Sequence, residues 1–222
     1  LLTKAGGTDP EIFFQTISRM DISDWVSYIS EISVQNKKTA VPEFIRGGNH
    51  EEKIQNYAGV MKNALENSYS TQSFIGNLLK DTDKDWSKVF KCPKLDMDKF
   101  FTRYLDYDFN STNTFEYSLL TEEELKTKFK GINSVSELIS DLQAIQRLFA
   151  FTSNYDTIKS LKKNGIDSAN SVMKKKKKSF IENFTKILGG ETQAAKVYCK
   201  ALKINTASLA MYGKLHPSLN TS

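Results

Sequence analysis

Five consecutive lysines, Lys174, Lys175, Lys176, Lys177 and Lys178, form the densest charge in the chain. A run of this kind can neutralise phosphates, so its chemistry would be an anion contact to nucleic acid or to an anionic membrane. A second stretch, DYDFNSTNTFEY at residues 106–117, comes near a calcium loop. Asp106, Asp108, Asn110 and Thr112 stand at its positions 1, 3, 5 and 7. Where such a loop needs glycine, at position 6, the chain has Ser111. Where it needs glutamate, at position 12, the chain has Tyr117. A polar helix end followed by a loop fits these residues better than an ion site. His50 and His216 are the two histidines, and neither belongs to an HExxH or a Cys/His ligand set. There is no GxSxG elbow, no phosphate loop and no GxGxxG. The carboxylates fall at helical spacing from lysines, which pairs them with each other rather than with a substrate. No catalytic group, metal or cofactor is expected, and the chain reads as a non-enzyme.

The segment around the lysines sharpens the choice. KKNGIDSA, residues 162–169, resembles the hairpin of a helix-hairpin-helix motif, whose backbone N–H groups hold a DNA phosphate. That motif wants Gly-hydrophobic-Gly, and here the triplet is Gly165-Ile166-Asp167. The aspartate would repel a phosphate. Basic runs often lie on solvated corners. Lys174–Lys178 are therefore expected to form an exposed corner of a helical scaffold, with nucleic-acid binding as the alternative.

Charge is distributed unevenly. Lysine and arginine number 31 against 26 aspartates and glutamates, so the five lysines account for the whole excess of +5. Residues 1–150 carry 18 basic and 22 acidic side chains, and residues 151–222 carry 13 and 4. The basic character is a C-terminal patch, not a property of the whole surface. With 39% hydrophobic and 26% charged residues over 222 positions, the composition is that of a soluble globular domain with a real core. Cys92 and Cys199 lie far apart and form no disulfide framework. No stretch approaches the roughly 18 apolar residues of a membrane span. The opening LLTKAGG reads as a helix tail stopped by glycine, as in a piece of a longer polypeptide.

Helical periodicity dominates the elements that would position these residues. Asp9 and Pro10 mark a helix start. From Ser23, Trp25, Val26, Ile29 and Ile32 share a face. Asn49 and Glu52 stand at cap spacing before a stripe of Ile54, Tyr57, Ala58, Met61, Ala64 and Leu65. STQSFIGNLLK follows at once. DMDKFFTRYLDY turns Phe100, Phe101, Tyr104 and Leu105 inward. Thr121 and Glu124 cap a helix that Gly131 stops. Ser134 and Glu137 suggest a capping box for the strongest stripe, Val135, Leu138, Ile139, Leu142, Ile145 and Phe149. Further helices follow in NYDTIKSLKKNG, DSANSVMKKK, SFIENFTKILGG and ETQAAKVYCKALKINTASLAMYG. TFEYSLL alternates Phe115, Tyr117 and Leu119 and reads as an extended segment laid on the helices. Loops are expected over 34–48, 81–95 and 106–120. The fold class is all-α, a multi-helix, mostly antiparallel domain with little or no sheet. It is one domain over 1–222, with a first helical unit at 1–69, connecting helices and loop at 70–133, and a second helical unit at 134–222.

The two ends are weakly alike. Leu2, Lys4 and Gly6 match Leu161, Lys163 and Gly165, and Trp25, Ile29 and Ile32 match Phe180, Phe184 and Ile187. Each copy reads as a glycine-stopped helix end, a short helix, a second apolar helix and a longer helix with an acidic start. The implied repeat is about 155–160 residues.

DLQAIQRLFAFTSNYDTIKSLKKNGIDSANSV resembles a pattern in the A subunits of bacterial insecticidal toxin complexes (Tc toxins). The likeness runs on through Phe180, Leu188-Gly189-Gly190-Glu191, Ala194-Ala195, Tyr198, Ala201 and SLAMYGK. Upstream, MDISDWVSYISE, QNYAGVMKNALENSYSTQSFIGNLL and FFTRYLDYDF also fit, in order, so most of residues 10–215 are covered. The chain departs from the pattern at Ser70, where proline is usual, and at the five lysines. The resemblance implies a segment of the helical shell around a pentameric translocation channel, with a structural and surface role. It implies a secreted or cell-surface parent, and partners that are neighbouring domains of the same polypeptide, further copies and other toxin-complex subunits.

Overall fold

The computed structural model describes residues 10–35 and 40–215. The opening LLTKAGG, Leu2, Lys4, Gly6, Asp9 as a cap, and His216 lie outside the described residues, as does part of the loop expected at 34–48. Among the described residues the fold is all-α, with no strand. The chain divides into two compact units, residues 1–82 with 101–108, and residues 83–100 with 109–222. The divisions fall at 82/83, 100/101 and 108/109, so that a short segment after Phe100 belongs with the first unit.

The first unit contains α1 (Pro10–Ser18), α2 (Ile22–Gln35), α3 (His50–Ser68) and α4 (Ser70–Lys80). Asn49 caps α3, its side-chain oxygen accepting from Glu52 N at 2.8 Å, while the Glu52 carboxylate accepts from Gly48 N at 2.7 Å. Ile17, Trp25, Ile29, Val41, Ile45, Ile54, Ala58 and Leu65 form one buried cluster, with Tyr57 and Met61 packed against it. Ala64, expected in the stripe, is exposed. Helix α4 is buried nearly all round, at Thr71, Gln72, Ser73, Phe74, Ile75, Gly76 and Leu78. Gly76 is required there: a Cβ would stand 2.3 Å from the Arg19 carbonyl oxygen.

The second unit begins with a 3₁₀ turn at Trp86–Lys88, and the unit boundary falls within α5 (Lys94–Arg103). A 3₁₀ segment at Thr114–Leu119 follows, then α6 (Glu122–Lys128), α7 (Val135–Phe149), α8 (Tyr155–Lys163), α9 (Ala169–Met173), α10 (Lys177–Phe184) and α11 (Glu191–Leu215). Thr121 and Glu124 make the expected capping box on α6. Of the expected α7 stripe Leu138, Leu142, Ile145 and Phe149 are buried, together with Asp141, Ala144 and Leu148, while Val135 and Ile139 are half-buried.

Three sequence expectations are corrected. TFEYSLL is not extended. Asn113 caps it by accepting from Phe115 N, and a six-residue 3₁₀ helix, at three residues per turn, puts Thr114 and Tyr117 inside and Phe115 and Leu119 outside. Ser134 makes no side-chain cap on α7. Asp96 instead holds the chain that enters α7, accepting from Asn133 N at 3.0 Å and Ser134 N at 2.9 Å, and leaves the first turn of α7 without a side-chain cap. Leu105 is exposed, because α5 ends at Arg103 and the helical phase does not carry inward beyond it.

Candidate functional site

The lysine corner joins α9 to α10. Asp167, just before α9, holds the start of this corner. Its carboxylate accepts from Ser171 Oγ at 2.9 Å and Ser168 Oγ at 3.1 Å. Partial burial raises the Asp167 carboxyl, but those hydroxyls and the charge of Arg147 outweigh burial and hold it below its ordinary value. Gly165 turns the chain at φ 71°, which lets Ile166 drop into the core. Helix, turn and helix are therefore all present, as in the hairpin motif. A well-ionised carboxylate fills the turn where a phosphate would have to bind.

Lys174 closes α9, Lys176 is the extended residue before α10, and Lys177 and Lys178 are its first two residues. All but the half-buried Lys175 are exposed. The backbone is what the fold holds: the Lys175 carbonyl accepts from Tyr198 Oη at 3.4 Å, and the Tyr198 ring lies 5.6 Å from that of Phe180. The ammonium groups reach water. Lys178 approaches Glu182 only to 4.0 Å, a pair of exposed groups of little worth. Lys176 offers no side-chain cap, and two cations stand at the positive end of the helix dipole. Nothing in this geometry converges on one ligand atom.

Two groups of the calcium-like stretch are committed elsewhere. Asp108 accepts from Thr71 Oγ1 at 2.5 Å in the first unit, and the Thr112 carbonyl accepts from Gln146 in the second. Among the described residues no group of three or more histidines, cysteines, aspartates or glutamates could hold a metal.

The charged residues that periodicity could not find are buried ones. Lys162 on α8 donates to Asp141 on α7 at 2.9 Å, with the two side chains 7% and 2% exposed. The other Asp141 oxygen accepts from Cys92 N at 2.8 Å, and the Lys162 ammonium lies 5.3 Å from the Phe90 ring centroid. The Cys92 thiol is pushed up to about 12, first by burial and then by Asp141, Asp96 and Glu137. It is a neutral, inert packing group. In the first unit Arg19 plays a comparable part. It donates to Gln72 at 2.8 Å and to the carbonyls of Phe101 and Leu105 at 3.3 and 3.2 Å, and Gln72 donates on to Leu105 and Tyr107 at 3.0 Å each. Burial lowers the Arg19 value, but a guanidinium stays charged. Arg19, Asp96 and Asp141 all grip backbone. They fix chain paths. The one sequence signal for them was a polar side chain interrupting an apolar stripe.

The second unit also has an open groove of about 610 Å³, with Leu125, Phe129, Ile132, Val135 and Ile139 as apolar lining and Lys126 and Glu122 at the edge. Those two edge groups face each other at 3.9 Å. Among the described residues no helix is long and apolar enough to cross a membrane. No family model, curated protein or solved structure matches the chain.

Proposed function

We propose that the chain is a non-catalytic scaffold segment, of the kind that builds the helical shell of a Tc-toxin-like A subunit. One observation carries this reading above the others. Both helical triads, α1–α3 and α9–α11, bury the two aromatic or aliphatic anchors that the sequence aligns: Trp25 and Ile29 in one, Phe180 and Phe184 in the other. In each, the long third helix packs on the second. Repeating units that bury their faces on their neighbours are what a shell requires. The buried charges serve the same end, because each is spent on backbone geometry. In this setting the parent protein is secreted, pentameric and joined to other toxin-complex subunits, and the chain's nearest partners are further helical segments. The test is the parent gene: a reading frame of several thousand residues containing this segment near its start is expected, and one of a few hundred residues would sink the reading.

The second reading, a helical module that binds nucleic acid, rests on the exposed ammonium groups of Lys174, Lys176, Lys177 and Lys178. Each phosphate contact releases a counterion, so such binding weakens steeply with salt. Filter binding of DNA and RNA is expected to be weak and to vanish at physiological salt. Tight binding there, lost when the lysines are replaced, would select the second reading.

A further inference from the structure

Helix α6 is well capped but poorly seated. Its capping box is complete, yet none of its residues is buried. Leu125 on α6 and Phe129 one turn on line the groove of the second unit, and Val135 and Ile139, one turn apart on α7, line it too. Phe129, beside the turn, is 1% exposed, whereas Leu125, Val135 and Ile139 are half-buried. Apolar rows of this kind ordinarily close on a neighbouring element. Here α6 and α7 make little direct contact beyond the turn that joins them, where Gly131 reverses the chain at φ 82°. The groove of about 610 Å³ is what the two rows leave open.

Its size decides between kinds of occupant. Helix α6 has seven residues, so this wall is about 10 Å long at 1.5 Å per residue. A partner helix laid on so short a wall would bury far less than the roughly 1,200 Å² at the low end of specific protein interfaces. Mostly apolar clefts of about 300–1,000 Å³ with a few polar groups are the dimensions of small-molecule sites.

Charge places the head of such a molecule. Lys126 faces Glu122 at 3.9 Å, and the two offset each other on the rim. Lys128 lies 4.8 Å from the Tyr117 ring centroid. Lys99 reaches the turn and donates to the Gly131 carbonyl at 3.2 Å, with Asp96 at 3.7 Å as its counter-charge. Lys130 lines the groove beside the turn, is exposed, and has no carboxylate partner among the described residues. The rim therefore carries one uncompensated positive charge, which suits an anionic head and opposes a cationic one.

We propose that this groove binds a free medium-chain fatty acid, with the carboxylate at Lys130 and the chain along Leu125, Val135 and Ile139. The chain covers the apolar rows that α6 and α7 leave open, and the lysine sets its direction. The site is independent of the toxin-shell reading, since it rests on the groove alone.

Calorimetric titration of the whole chain with dodecanoate, kept below its micellar concentration, tests it. One molecule is expected to bind. Decanoate, two methylenes shorter, is expected to bind about 15-fold more weakly, because each buried methylene is worth about four-fold. Ile139→Trp fills the groove and is expected to abolish binding. Should that variant disturb α7, Lys130→Gln gives a second measure at an exposed residue. It is expected to weaken decanoate about two- to five-fold and to leave the binding of 1-decanol unchanged. Failure of dodecanoate to bind would overturn the proposal. So would an affinity that ignores chain length, or decanoate binding unchanged by Lys130→Gln. A mass that doubles in sedimentation and falls back in Ile139→Trp would assign the groove to a second copy and overturn it. Binding to phosphatidylserine vesicles without binding of free dodecanoate would assign it to a membrane surface and overturn it too.

Discussion

The two corners that lead into the second helix of each triad are built with opposite charge. Asp21 stands between α1 and α2, and Asp24 in the first turn of α2. Asp21 caps α2 by accepting from Asp24 N at 2.9 Å, and Lys80 at the end of α4 binds both carboxylates. Lys174–Lys176 stand between α9 and α10 and Lys177 and Lys178 open α10, with no side-chain cap and Lys178 no nearer than 4.0 Å to Glu182. Carboxylates at a helix N-terminus complement its dipole, and cations there oppose it. The acidic corner is a working part of its unit, because α4 supplies a counterion. The lysine corner is tied down by its backbone alone. The same turn can thus carry either charge, and what decides its role is the element that faces it.

The anchors show the same limit of likeness. Trp25 and Phe180, and Ile29 and Phe184, are buried in both triads. The third pair diverges: Ile32 is half-buried, whereas Ile187 is 40% exposed and Leu188 is buried in its place. Helix α10 ends at Phe184, and the turn that follows shifts the phase by one residue. The long third helices diverge further. Helix α3 buries residues along its length to Leu65, while α11 stops burying at Ala201.

The largest expected effect lies in the interior of the second unit. Removing one member of a buried ion pair strands the other. Lys162→Met is expected to cost about 3–5 kcal/mol, since Asp141 would be left charged at 2% exposure. Denaturant unfolding measures this. A loss under about 1 kcal/mol would show that Asp141 is held by Cys92 N alone. The comparable position in the first unit is Gly76. Gly76→Ala drives a methyl against the Arg19 backbone, which cannot move as a side-chain tip can. A cost of about 1–3 kcal/mol is expected, with the Arg19–Gln72 bond weakened. An unchanged melting temperature would mean that α4 is free to shift.

Sequence periodicity reached the class, nearly every helix, two of the caps and the core anchors, because each is written in local spacing. Asn49 with Glu52 and Thr121 with Glu124 are cap and partner three residues apart. The grip of Asp96 on the entry to α7 was out of reach, because its two N–H partners lie 37 and 38 residues downstream. Asp141 interrupts the apolar stripe of α7 three residues after Leu138, but its partner Lys162 lies 21 residues on, beyond what local spacing reveals. The 3₁₀ turn at Thr114–Leu119 mimicked a strand because an every-second-residue pattern over five residues does not separate a period of two from one of three.

Acid separates the two corners next. Partial burial pushes the Asp21 carboxyl up, but hydrogen bonds from Lys80 and Ser23 and from the Asp24 backbone outweigh this and hold it well below the usual carboxylate range. A lowered folded value means that the stabilisation is complete above the unfolded value of about 4 and fades as pH falls toward the folded one. Lys80 is raised: burial works against the shift and the two aspartates outweigh it. Its share is complete below the unfolded lysine value of about 10.4 and fades as pH rises through the folded one. Asp21→Asn is therefore expected to flatten the loss of stability below about pH 4. Because the pair is partly exposed, high salt should flatten it as well. An unchanged acid limb in the variant would mean that other carboxylates govern it.

The smallest effect belongs to the lysines. Their heads are in water, and the one ion pair they make is long and exposed. Replacing Lys174–Lys178 with a mixture of serine and glutamine should change stability by less than about 1 kcal/mol, as exposed substitutions do. The sign should be favourable, since two cations leave the positive end of α10. The corner can also be turned into the likeness of its counterpart. Lys176 is extended and precedes α10 without a cap, so Lys176→Asp supplies an acceptor for the free N–H groups and a charge that suits the dipole. A gain of about 1 kcal/mol in thermal unfolding is expected from that single change. A loss instead would show that the lysine heads hold the corner, and the contrast between a corner set by its facing element and one set by its backbone would fail.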